Sequence, residues 1–203
     1  MMKIGNFDFV MDGLYQKVDS LPDDPPASVP FMAQTEMAVC FVMLRPIPAD
    51  QTMPFENPQT VIDGIHRCLS NQQGLIKVDA GQTNKGNRFI YSIVKTVNPQ
   101  GGVQYGLTFH ISNGISAVAV QGFFEETGTT GQRENLILQS LMNEGRLKMG
   151  PDGPEGWLED PYDSDFKRGI PMNLSEKESI DEFFPSHPIS ECRRFIKSIL
   201  EQN

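Results

Sequence analysis

His66, His110 and His187 are the only histidines in the chain, and each stands alone. None belongs to an H-x-H, H-x-x-x-H or H-E-x-x-H pattern, so no local segment offers the paired imidazoles from which a zinc site is usually built. A metal centre would have to be assembled from distant positions. His66 and Cys68 are two residues apart, a spacing that points them in different directions on a helix. Cys40, Cys68 and Cys192 are odd in number and show no C-x-x-C spacing. They read as free thiols in a reducing compartment rather than as a disulfide framework.

Anion and cation motifs are equally incomplete. Gly128-Thr129-Thr130-Gly131-Gln132-Arg133 opens a helix, where backbone N–H groups can meet an anion. It lacks the lysine and the glycine spacing of a P-loop, and Glu125 and Glu126 just before it repel phosphate. It reads as an N-capping loop. Glu159, Asp160, Asp163 and Asp165 lack the alternating ligands and sixth-position glycine of an EF-hand, so they read as a solvated acidic loop. Asp63, Glu125 and Glu126 offer carboxylates, but nothing in the sequence brings them together. The expectation is no catalytic residue, no metal ligand and no cofactor.

Aromatics are more suggestive. Trp157, Tyr162, Phe166, Phe183 and Phe184 lie in an otherwise polar, acidic tail. They are the candidate partner-binding residues, because exposed aromatics anchor interfaces. The same residues would also pin the tail onto its own domain. Phe123 and Phe124 end a strand with the same ambiguity.

The elements that position these groups follow from periodicity and turn chemistry. Leu75–Ala80, Arg88–Val97, Gln104–Ser112 and Ser116–Phe124 read as four strands of an antiparallel meander. The breaks between them carry Gly, Asn or Pro, and Asn113-Gly114 is a strong hairpin signal. In Gln104–Ser112, Tyr105, Leu107, Phe109 and Ile111 alternate with polar or small residues, which leaves one face wet or partner-facing. Met37–Ile47 is an apolar run suited to a strand buried on both faces. Asn57 caps a helix that begins at Pro58 and carries Val61, Ile62, Ile65 and Leu69 on one side. A second helix, Arg133–Asn143, carries Leu136, Ile137, Leu138, Leu141 and Met142 as an apolar stripe. At the N-terminus, Lys3–Tyr15 reads as an edge strand ending at Asp12-Gly13, or as an arm. Leu21–Pro26 reads as a connector. Ser175–Glu178 has the form of a capping box for a short helix ending before Pro185. A last helix begins near Pro188 and repeats Cys192, Phe195, Ile196, Ile199 and Leu200 at helical spacing.

The sum is an α+β fold: an antiparallel sheet of about five or six strands flanked by two helices, with an acidic C-terminal helical extension. Residues 1–149 form the α+β domain with its N-terminal arm, and residues 150–203 an extension docked on it. The extension holds twelve acids and six bases, net −6. The rest holds fourteen and eleven, net −3, so the two parts sum to the chain's −9. That charge, with a pI near 4.8, disfavours nucleic acid and anionic membrane surfaces, both of which select Lys and Arg. The N-terminus lacks a signal-peptide apolar run, and no stretch approaches the ~18 apolar residues of a membrane span. A cytoplasmic protein is expected.

The order of a strand (Met37–Ile47), a helix (Pro58–Leu69), a four-strand meander (Leu75–Phe124) and a helix (Arg133–Asn143) resembles the Mog1/PsbP-like (DcrB-like) fold family. The resemblance covers about residues 30–145 and rests on element order, with no shared catalytic residue. It implies an antiparallel sheet between helices and a partner-binding role, as in bacterial and other non-enzymatic adaptors of that fold. The functional expectation is a protein-binding adaptor, chaperone-like or immunity-like, with a protein partner. The alternatives are a small enzyme or ligand binder using a cleft between sheet and helices, and a homodimer formed through the wet face of Gln104–Ser112.

Overall fold

A seven-stranded antiparallel sheet organises the chain, in the computed structural model that describes residues 1–99, 101–151 and 153–203, the side chain of Ala49 excepted. Gln100 of the expected turn and Asp152 of the expected linker lie outside the described residues. A small hairpin, β1 (Met2–Ile4) with β2 (Phe7–Phe9), comes first and turns at Gly5, whose φ of 57° is the left-handed region. The large sheet uses β3 (Gln16–Lys17), β4 (Val29–Gln34), β5 (Ala38–Ile47), β6 (Gln73–Gln82), β7 (Arg88–Val97), β8 (Val103–Ser112) and β9 (Ala117–Glu126). Their order across the sheet is β3-β4-β5-β9-β8-β7-β6. The meander therefore appears as expected, and β5 joins it beside β9. The sheet is larger than the five or six strands expected. The additions are β3, only two residues long, and β4, which flank the proline-rich connector and carry no clean alternation.

Register sorts the side chains onto two faces. Tyr105 pairs with Phe124 and Lys95, Leu107 with Gly122 and Ile93, and Phe109 with Val120 and Tyr91. This face carries the main core. It is covered by Phe7 and Phe9 of the small hairpin and by α3 (Pro188–Gln202), which contributes Ile189, Cys192, Phe195, Ile196 and Ile199. The expected N-terminal edge strand is instead this buried hairpin. The opposite face is covered at one end by α1 (Pro58–Cys68), whose Ile62 packs with Leu69, Leu75 and Val78. Asn57 caps α1 through its side chain, as expected. A register shift between Leu75 and Lys77 lets Leu75 face α1 while Ile76 faces the main core.

The segment after residue 149 lies on the same sheet. Ile170 N–H donates to Gln73 O at 2.8 Å, and a Cβ at Gly74 would come within 1.8 Å of Ile170 O. Glycine at position 74 is thus required by close backbone approach. Two 3₁₀ turns, Leu174–Glu176 and Glu178–Phe183, precede α3. The capping box is not Ser175 with Glu178. It is Asn173 with Glu176, two residues earlier, because Asn173 accepts from Ser175 N–H while Glu176 reaches back to Asn173 N–H. Among the described residues no helix is long and apolar enough to cross a membrane.

Candidate functional site

Of the helices, α2 (Gln132–Asn143) is the one that does not bury its apolar side chains. Its only buried residue is Arg133, while Leu136 is 48% exposed and Met142 36%. The apolar stripe read from the sequence exists, but it does not pack on the sheet. Instead Leu136, Ile137 and Leu141 form one wall of a groove of about 580 Å³. The facing wall is Ile180, Phe183 and Phe184, and Phe183 is 66% exposed. Lys177, Arg146 and Glu144 line the same groove.

Buried charge holds α2 in this position. The Arg133 guanidinium, fully buried, donates to Ser175 O (2.7 Å), Ser190 Oγ (2.8 Å) and Asp181 Oδ1 (2.9 Å). Arg193 binds both oxygens of Asp181 from α3. Glu176 accepts from Lys95 Nζ and from Tyr105 O–H, each at 2.8 Å. The first turn of α2, the 3₁₀ turns and α3 are thereby fastened together by charge and hydrogen bonds, while no apolar side chain of α2 is fully buried. A planar, always-charged fork suits Arg133 to this work in a way lysine is not.

Beside this network sit Glu126, at the end of β9, Glu134, in the first turn of α2, and His187, the N-cap of α3. One ligand atom of each lies within 4.8 Å of the others. His187 is 0% exposed and Glu126 6%. Glu126 Oε1 accepts from Gly131 N–H at 2.9 Å, but Glu126 Oε2, Glu134 Oε2 and His187 Nε2 have no hydrogen-bond partner. Burial pushes both carboxyls above their ordinary range, and for Glu134 the charges of Glu176 and Glu126 add to it. Burial, then Arg133 and Arg193, lowers His187 to about 3, so the imidazole is neutral and its 3.9 Å approach to Glu126 is not an ion pair.

The remaining candidates fall elsewhere. Trp157 is buried, and the Tyr162 hydroxyl donates to Val78 O while accepting from Val78 N–H. Phe166 stacks on His66 with ring centroids 4.1 Å apart, and His66 Nε2 meets Asp160 at 3.1 Å. Tyr162 and Phe166 hold the tail to its own domain, and Trp157 is buried, whereas Phe183 and Phe184 meet in the groove. His110 is lowered to about 4 by burial and by Arg45, and its Nδ1 accepts from Met53 N–H. Of the polar positions in β8, Gln104, Gly106 and Thr108 line a shallow cleft of about 350 Å³ against α1 that also contains Cys68. His110 and Ser112 are buried, so only the Gln104–Thr108 part of the expected wet face is accessible. Burial raises the Cys40 thiol to about 12 and the Cys192 thiol further, which removes both as nucleophiles.

No protein-family model matches the chain, and no curated protein matches it. Among solved structures it is similar to the solution structure of cyanobacterial PsbP (CyanoP) from Synechocystis sp. PCC 6803. Identity is 18% over 66% of this chain and 80% of that chain, with a TM-score of 0.36. Nothing about binding or activity follows from this likeness.

The groove and the Glu–Glu–His cluster were both missed in the sequence, yet two signals were present. Glu126 continues the inward phase of Val118, Val120, Gly122 and Phe124, and Lys95 that of Phe89, Tyr91 and Ile93. A charged residue in a buried phase requires a partner.

Proposed function

We propose that this chain is a non-enzymatic, cytoplasmic protein-binding adaptor that docks an apolar segment of a protein partner in the groove beside α2. The carrying observation is that a twelve-residue helix with five apolar side chains buries none of them. Helices in folded domains normally gain their stability from an amphipathic face against a core. Here α2 is held by buried charge and its apolar face is left for another surface. An amphipathic helix laid between Leu136 and Phe183 would complete the packing. The net charge of −9 favours a basic or neutral partner over an acidic one. The buried Cys40 and Cys192 thiols and the packed His66 and His110 support a non-enzymatic reading.

Site-specific photocrosslinking in the native cell tests it. A photoreactive phenylalanine at position 183 is expected to give one discrete adduct with another protein. The same group at Leu21, which is 68% exposed and remote in sequence, is expected to give none. Absence of an adduct at position 183 contradicts the proposal. An adduct whose mass is that of two copies of this chain replaces the adaptor with a homodimer.

A further inference from the structure

We infer that Glu126, Glu134 and His187 form a binding site for a divalent transition-metal cation, ligated by Glu126 Oε2, Glu134 Oε2 and His187 Nε2. Three buried polar atoms with no hydrogen-bond partner converge within 4.8 Å, from residues 126, 134 and 187 on three different elements. A buried donor or acceptor left unsatisfied is destabilising, so three converging atoms call for a shared occupant. The neighbouring charges point to a cation. Lys95 answers Glu176, and Arg133 and Arg193 answer Asp181. Among the described residues no Lys or Arg pairs with Glu126 or Glu134 within ion-pair distance. The Glu126 and Glu134 carboxyls are therefore left without a Lys or Arg at contact distance, Lys95 acting on Glu134 only from farther away.

One imidazole and two carboxylates suit Zn²⁺, Mn²⁺ or Fe²⁺ and leave positions for water, while the lack of thiolate disfavours Cu(I). The turn Gly128–Thr130, which follows Glu126 in the chain, is exposed, and Glu134 is half-buried. Ligation has one local cost. Ile189 N–H donates to His187 Nδ1 at 3.4 Å, a long contact that places the ring proton on Nε2. Metal binding through Nε2 moves that proton to Nδ1 and gives up this contact. The occupied site would tie the end of β9, the first turn of α2 and the N-cap of α3 together. The site does not depend on the groove or on the identity of any partner.

Isothermal titration of the chelator-treated full chain with Zn²⁺, and separately with Mn²⁺, is the test. The expected result is one equivalent bound and a Tm that rises with metal concentration, as binding to the folded state alone requires. Glu134→Gln, the same size without the charge, should weaken binding by roughly tenfold or more. Glu159→Gln, on an exposed acidic strand, should leave it unchanged. Nitrogen-15 NMR of His187 should show the ring proton on Nε2 without metal and on Nδ1 with it. No binding, equal binding by Glu134→Gln, or an Nε2-protonated ring in excess Zn²⁺ would overturn the site. The last outcome would assign the cluster to a bridging water.

Discussion

Lys95 Nζ donates to Glu176 Oε2 at 2.8 Å, and at 2% and 0% exposure both side chains are sealed from water. The lysine comes from the middle of the sheet and the glutamate from the 3₁₀ turn that precedes α3, so this pair joins the C-terminal segment to the core. Tyr105 O–H and Asn173 N–H complete the glutamate's hydrogen bonds. Lys95→Met leaves that carboxylate buried without a cation, which is expected to cost about 3–5 kcal/mol in urea unfolding. Adding Glu176→Gln should recover part of the loss, because the charge is then gone and the coupling appears in the double-mutant cycle.

Arg133 gives a second prediction. Its guanidinium meets Ser175, Ser190 and Asp181 at once, and no other residue of α2 is buried. Arg133→Lys keeps the charge but loses the fork, so it is expected to release α2 from the 3₁₀ turns. Hydrogen exchange should then rise across 132–143 and 174–183, while β7 and β8 keep their protection. Unchanged exchange in those segments would contradict the anchoring role.

A third concerns the thiols. Cys68 is exposed at the end of α1, whereas Cys40 and Cys192 are buried and their thiols held protonated. A disulfide reagent at neutral pH is expected to titrate one thiol in the folded chain and all three in denaturant. Fast reaction of a second thiol would show that the face of the sheet beneath α3 opens.

The architecture was legible where side chains alternate. Tyr105, Leu107, Phe109 and Ile111 marked β8, and Asn113-Gly114 marked its hairpin, because both signals are local. β4 was not legible, since Val29-Pro30-Phe31-Met32 follows a proline-rich connector and shows no alternation. Helix α2 showed its apolar stripe but not that the stripe stays uncovered, which depends on Arg133 finding partners more than forty residues later. The Glu126, Glu134 and His187 cluster could not be assembled for the same reason, as no two of its members share a motif and only the inward phase of Glu126 marked a buried charge. Trp157, Tyr162 and Phe166 could not be told from Phe183 and Phe184 in the sequence. The difference lies in whether each ring finds Val78, His66 or another buried place within its own chain.

His110 predicts a pH response. Burial, with Arg45 nearby, lowers its pKa from 6.5 to about 4. Between those values the unfolded chain binds a proton that the folded chain refuses, so stability falls as pH drops through this window and flattens below it. The contribution is up to about 3 kcal/mol. His110→Asn keeps an acceptor for Met53 N–H and removes the titration. The stability difference between wild type and variant should therefore shrink on going from pH 7 to pH 4.5. A constant difference would contradict it.

Affinity purification from the native cell with quantitative mass spectrometry bears most directly on the groove as the working surface. It would compare the wild-type chain with Leu136→Gln/Phe183→Ser. Both residues are exposed, so the pair of changes should alter stability by no more than about 0.5 kcal/mol each, checked by thermal unfolding. The expected result is that the protein crosslinked at position 183 copurifies with the wild type and is lost from the variant. The same proteins at the same abundance with both chains would contradict the assignment of the groove.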